Sequence, residues 1–211
     1  MKSYKRGVLS DIFSGKIRFK DKDGNSFKEW KKCAIGSVFS ERCERANGNE
    51  DLLAVTINSG VIKRNEIELK DNSSEDKGNY KCVRVNDIAY NTMRMWQGAS
   101  GVSIYDGIVS PAYTVIYAID GHNTDVRFWG YYFKTNWLIC EFQRYSQGLT
   151  SDTWNLKYSQ LADIEVKMPC VDEQIRIANF LDKLEETILE YEQYLDESSV
   201  QRNKLLRTMF I

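Results

Sequence analysis

The chain has 211 residues, 42% of them hydrophobic and 12% aromatic, and a formal net charge of −1. That is enough apolar material for one good core plus an appendage, and it excludes a protein that holds nucleic acid through a large overall positive charge. Five cysteines (Cys33, Cys43, Cys82, Cys140, Cys170) are scattered without a CxxC pair, which argues against a zinc site or a disulfide framework. No signal-peptide pattern and no apolar run long enough to cross a membrane is present, so the expectation is a soluble protein of a reducing cytoplasm.

The charge is unevenly placed. Residues 1–32 hold ten Lys/Arg against four acids, or +6, whereas residues 161–197 hold eleven acids against three bases, or −8. The acidic stretch suits protein contact, and the remainder, positive on balance, is free to face phosphates.

In chain order, Tyr4–Phe13 comes first, and its pattern returns at Gln201–Phe210. A basic residue (Lys5, Arg202) is followed by an apolar pair (Val8-Leu9, Leu205-Leu206), then by Ile12-Phe13 or Met209-Phe210. The match suggests one unit of a tandem array, with the tail of a preceding helix at its front. The middle is mostly β. Leu52–Ile57 reads as a strand closed by Asn58-Ser59-Gly60, and Cys82–Val85 and Ile88–Tyr90 flank Asn86-Asp87. Val102–Tyr105, Ile108-Val109 and Ala112–Ile119 continue the strands. The aromatic segment Val126–Phe142 predicts one helix, and Leu161–Val166 predicts a last strand before Pro169. The fold class expected is α+β: a helix tail over residues 1–13, one mixed α/β domain over 14–167, and a long helix over 168–211.

That last helix is expected to run about 58 Å, with Asp172 as its N-cap. Ile177, Leu181, Leu184, Ile188, Tyr191 and Leu195 recur at alternating spacings of four and three, the seam of a coiled coil. Such a seam needs a cover, and a second copy in antiparallel pairing would supply one, which predicts a homodimer.

Four segments together resemble one target-recognition half of the specificity subunit of a type I restriction–modification enzyme. They are Gly15–Phe19 through Trp30, Val85–Asn91, Gly107–Tyr113, and Ile164–Pro169 followed by Glu173–Ala178. The resemblance spans essentially the whole chain and implies a target-recognition domain followed by a spacer helix. It also accounts for the repeated ends, since a full subunit carries two such units in tandem. It further implies a non-catalytic DNA-reading subunit with no cofactor of its own. Its partners would be double-stranded DNA, a methyltransferase subunit that binds S-adenosylmethionine, and a restriction subunit that uses ATP and magnesium. A silent recombination-donor fragment and a purely structural coiled-coil adaptor are the alternatives, although an adaptor leaves the Arg- and Gln-bearing loops unexplained.

Two clusters carry the side chains that read bases. Asn91, Arg94, Trp96 and Gln97 follow a strand, and Arg144, Tyr145 and Gln147 lie with Ser151 and Thr153 further on. Arg binds guanine bidentately and Asn or Gln does the same with adenine, while hydroxyls suit phosphates. Lys28, Lys31 and Lys32 are candidate phosphate ligands. The plain alternative is that Met93, Met95 and Trp96 are core. Catalytic readings are thinner. Ser110-Pro111-Ala112-Tyr113 resembles the motif of DNA amino-methyltransferases but lacks its second proline, and no Gly-rich cofactor loop follows a strand. Glu165-Val166-Lys167 with Asp163 resembles the end of a metal-dependent nuclease motif, yet its alternation equally suits an edge strand. His122, the single histidine, sits in a polar turn without a partner histidine.

Overall fold

The computed structural model describes residues 2–46, 50–66, 77–150 and 152–209. At its centre is β6 (Ile88–Asn91), paired antiparallel with β9 (Tyr113–Ala118) on one side and β7 (Ser100–Val102) on the other. With β2 (Phe39–Glu41) on β9, the sheet order is β2-β9-β6-β7. Alternation along these strands divides the interior in two. Ile88, Tyr90 and Ile116 join the main, helix-bearing core, whereas Ala89 and Val115 join a smaller one under the hairpin of β3 (Leu53–Thr56) and β4 (Gly60–Lys63). Both faces of β6 are therefore covered, which is why it reads as an apolar run. The hairpin sits tightly on β7: a Cβ on Gly101 would lie 2.6 Å from Gly60 Cα, so both backbones need glycine there. β5 (Lys81–Val83) pairs with β8 (Gly107–Val109).

Three expectations are corrected. Val126–Phe142 is two helices, α2 (Val126–Tyr132) and α3 (Asn136–Tyr145). Thr135 makes the break, donating to the Tyr132 carbonyl at 2.8 Å and accepting from the Leu138 amide at 3.4 Å, so one hydroxyl closes one helix and caps the next. Strand β7 covers Ser100–Val102 rather than Val102–Tyr105, because the Ser103 hydroxyl bonds both backbone groups of Tyr105 and turns the chain. The segment before Pro169 is a short helix, α4 (Tyr158–Ala162), then β10 (Glu165–Met168), which pairs with β1 (Lys31–Ala34). Gln160 accepts from the Lys157 amide at 3.1 Å and so starts that helix.

The aromatic residues of α2 form the floor of the main core. Phe128, Trp129, Tyr132 and Phe133 are buried, and Trp129 meets Phe39 edge-on at 5.1 Å. α1 (Lys2–Phe13) adds Leu9 and Ile12 to this core and stacks Phe13 on Tyr132 at 4.6 Å. Lys134, between α2 and α3, donates to three carbonyls: Gly98 at 2.5 Å, Ser100 at 2.7 Å and Ile57 at 3.1 Å. It ties the helix joint to β7 and to the hairpin tip.

α5 (Val171–Met209) begins one residue before Asp172, so Asp172 lies inside the first turn and is not the N-cap. Two successive residues at its root reach into the domain. The buried Glu173 carboxylate accepts from Arg18 Nε at 2.9 Å and Nη2 at 3.2 Å, and from Trp30 Nε1 at 3.1 Å. Gln174 accepts from Thr124 Oγ1 at 2.8 Å and the Asp125 amide at 3.0 Å, and donates to the Pro169 carbonyl at 2.9 Å. The predicted seam is split as a result. Ile177 and Leu181 are buried in the chain's own core, with Leu184 packed against it, so these three do not await a partner. Tyr191 and Leu195, at 58% and 57% exposure, remain open.

Two expected outcomes follow from these contacts. Arg18→Met leaves a buried carboxylate without its cation and should cost about 3 kcal/mol in urea denaturation, and an unchanged midpoint would contradict the assigned contact. Burial pushes the Lys134 ammonium down to about 8 from the ordinary 10.5, so across that window the unfolded chain holds a proton that the fold has released. This group's contribution to stability therefore rises with pH between those values. In urea melts at pH 7.5 and pH 9, the wild type should gain on Lys134→Met at the higher pH; a constant difference would refute it.

Candidate nucleic-acid interface

The two clusters predicted from sequence meet in space. After β6 the chain turns at Asn91, whose Oδ1 accepts from the Met93 amide at 3.0 Å. A 3-10 turn over Met95–Gln97 follows and ends at Gly98, in the left-handed region at φ 83°. Met95 is fully buried and anchors the turn, while Met93 and Arg94 are exposed. The second loop leaves α3 through Ser146, whose hydroxyl donates to the Phe142 carbonyl at 2.6 Å. Gln147 and Asn155 then exchange two backbone bonds of 3.0 and 2.8 Å, closing a tight loop. Inside it Gly148 has φ 149°, and a Cβ there would lie 2.6 Å from the Thr153 carbonyl, so only glycine fits.

Two contacts hold the loops together. The Leu156 amide donates to the Thr92 carbonyl at 2.9 Å, and Trp154 meets Trp96 edge-on at 5.2 Å. Lys134 adds a brace on Gly98 from below. The turn at Ser110–Tyr113 also contributes, since Thr92 Oγ1 donates to the Ala112 carbonyl at 2.9 Å. Two of the segments that carried the family resemblance, Val85–Asn91 and Gly107–Tyr113, thus flank the first loop.

The candidate residues divide by what their polar atoms already do. Asn91 and Thr153 are spent on turns, Thr153 Oγ1 donating to the Thr150 carbonyl at 2.9 Å. The Trp96 indole N–H donates to the Met93 carbonyl at 3.0 Å, and Tyr145 packs half-buried on the core. Arg144 pairs with Glu141 one turn earlier, at 2.8 Å, with its side chain 71% exposed. Among the described residues, the side chains of Arg94, Gln97 and Gln147 have no hydrogen-bond or ion-pair partner, which leaves their donors free. Lys31 lies elsewhere, on β1 opposite Met168. Ser151 falls outside the described residues. Sequence reasoning missed Trp154 and Lys134; an indole set among Asp152, Thr153 and Asn155 was the available signal for the first.

Residues of the catalytic alternatives are distributed differently. Glu165 and Lys167 sit on the outer face of β10, and Asp163 ends α4. His122 is exposed in its turn, and its amide bonds the Ile119 carbonyl. No helix among the described residues is long and apolar enough to cross a membrane.

No curated protein matches the sequence. Among solved structures, similarity is found to an HsdS subunit from Thermoanaerobacter tengcongensis, with TM-score 0.56 and 11% identity over 92% of this chain and 45% of that one. A chain from a type I R-M system, solved for its complex assembly and conformational transition, gives 0.61 and 14% over 97% and 49%. A type I restriction-modification system S subunit from M. genitalium gives 0.54 and 16% over 84% and 44%. At these identities the likeness is one of fold, and the chain spans about half the length of each of these structures. The type I restriction modification DNA specificity domain matches residues 28–197, most of the chain, and the chain belongs to that family.

Proposed function

We propose that this chain is a DNA sequence-reading subunit, or half-subunit, of a type I restriction–modification system, directing methylation and restriction to one half of a bipartite site. The observation that carries the reading is the junction of the 91–98 and 146–155 loops, with 47 residues between them in the sequence, into one surface with uncommitted Arg94, Gln97 and Gln147. Forked donors of this kind fit the major-groove edges of guanine and adenine, and buried Met95, braced Gly98 and the Trp96–Trp154 contact hold them ready. The chain performs no chemistry in this reading. A methyltransferase subunit carrying S-adenosylmethionine transfers the methyl group, and a restriction subunit uses ATP and magnesium. The complex works in the cytoplasm, where its DNA is.

A single unit reads a single half-site, so two are needed. The exposed stretch of α5 offers the means. Leu189, Tyr191, Tyr194, Leu195, Leu205 and Met209 all stand open on it. Acids at Glu190, Glu192, Asp196 and Glu197 precede bases at Arg202, Lys204 and Arg207. Antiparallel pairing sets the acids of one copy against the bases of the other, whereas parallel pairing sets like against like. The homodimer is therefore antiparallel and brings two reading surfaces into two-fold relation.

Reading and positioning should separate by mutation. Arg94→Ala or Gln147→Ala should relax preference at particular base pairs by about 1–3 kcal/mol, while Lys31→Ala weakens binding to all sequences alike. The assay is methylation of a library of sites by the reconstituted complex; an unchanged methylated sequence in both loop variants would sink the assignment of these loops.

For the dimer, Leu195→Asp is the informative change, because Leu195 lies outside the chain's own core. Sedimentation at tens of micromolar should show the wild type as a dimer and the variant as a monomer whose circular dichroism is that of a folded chain. A monomeric wild type would refute the pairing.

A further inference from the structure

A cavity of about 480 Å³ opens between α1, the β1–β10 pair and the start of α3, and no part of the reading surface uses it. Its floor is a stack of three rings. Phe13 lies on Tyr132 at 4.6 Å and 17°, and Tyr132 on Trp137 at 6.2 Å and 24°. The stack ends at Trp137, which is 49% exposed and lines the cavity.

The wall is cationic. Arg6, Lys32 and Lys167 line it against the single carboxylate of Glu165, and Lys134 completes the lining with its stem while its ammonium is held by the Gly98, Ser100 and Ile57 carbonyls. Lys32 and Lys167 are directly opposed across the β1–β10 pair, so both side chains leave the same face of the ladder. Like charges in that register are unfavourable, and the one carboxylate lining the cavity, Glu165, two residues from Lys167 on the same face, is not bonded to either: among the described residues neither lysine has an ion-pair partner, and neither does Arg6. The fold thus retains a repulsive pair beside an exposed indole, in a concave site. That combination is wasteful for a free surface and well matched to a ligand bringing negative charge and an apolar side chain together.

We propose that this cavity is a docking site for an acidic segment of a partner protein, an aromatic or aliphatic side chain seated on Trp137 with flanking carboxylates between Lys32, Lys167 and Arg6. The proposal rests on the function proposed above and deepens it: the partner is the methyltransferase subunit that such a chain must hold. Duplex phosphates would meet the same cations, but the depth and the aromatic floor favour a side chain over a backbone that lies along a surface. The cavity also stands apart from the reading loops. Trp137 is in the first turn of α3 and Tyr145 in its last, roughly 12 Å along the helix axis. Lys134 belongs to both places, lining the cavity while it holds Gly98.

The test uses the full chain and the methyltransferase subunit of the same restriction–modification system, titrated by calorimetry. Trp137→Ala should weaken that association at least tenfold while leaving the chain's DNA affinity and self-association unchanged, and Lys167→Glu should weaken it by a similar factor. Lys32→Gln, which removes the opposed charge without reversing it, should raise the melting temperature by roughly 2 °C and still weaken the partner, showing that a loss of binding is not a loss of fold. Unchanged partner affinity in the folded variants overturns the docking site alone. A loss that appears in DNA binding instead makes the cavity a phosphate contact, a loss in self-association makes it a site for a second copy, and either result overturns the proposal. A wild-type chain that binds no methyltransferase subunit overturns both this site and the function on which it rests.

Discussion

The buried carboxylate of Glu173 is the point on which the two parts of the molecule turn. A charge at zero exposure persists only when its lone pairs are met, and here Arg18 and the Trp30 indole meet them. Arg18 lies just past α1, Trp30 just before β1, and Glu173 in the first turn of α5, so one carboxylate fixes three segments of the chain at once. Gln174, next along the helix, ties the same turn to Thr124 and Asp125 at the entry to α2. Two adjacent residues thus set where α5 leaves the domain. An amphipathic helix held by apolar contact alone could slide or rotate; polar groups at fixed positions forbid it.

From that joint the reading surface is reached through rigid parts. α2 packs on α5 through Arg127, which bonds Asp125, Asn179 and Asp182, and through the Tyr131 hydroxyl on Asp182 at 2.7 Å. The end of α2 passes directly into Lys134 and its three carbonyls, one of them at the end of the first loop. The path from α5 to the 91–98 turn therefore contains no long unsupported segment. Whatever orients α5 also orients Arg94 and Gln97.

Much of this was legible in the sequence, and what was not has identifiable reasons. The hairpin at Asn58-Ser59-Gly60, strand β9 and the length of α5 follow from local pattern, because turn chemistry and period are short-range properties. The break at Thr135 was hidden because aromatic residues continue across it, from Phe128, Trp129, Tyr132 and Phe133 to Trp137 and Phe142, while the cap is a single hydroxyl. The seam of α5 was read correctly as apolar at Ile177 and Leu181, but an a/d pattern is the same whether its cover comes from the same chain or another. The two loops were each visible as polar runs with forked side chains. Their meeting was not, since the Thr92–Leu156 bond joins residues with no sequence relation. Lys134 escaped for the opposite reason: a lysine within an aromatic segment looks like a solvent-facing residue until the three carbonyls around it are known.

The uneven charge takes its meaning from this division. The acids nearest the root of α5 are already committed, Asp182 to Arg127 and Tyr131 and Glu185 to Lys5. The acids beyond them, from Glu186 to Glu197, are exposed, and among the described residues only Glu186 has a cationic partner, Lys183 at 3.2 Å. A polyanion approaching the molecule is repelled along Glu186–Glu197 and meets net positive charge on the domain and, beyond the acids, at Arg202, Lys204 and Arg207. Near-neutrality overall is then no argument against DNA. It is what results when an acidic arm is joined to a basic body, and the field between them favours an approach to the domain end, where the loops proposed to read bases stand.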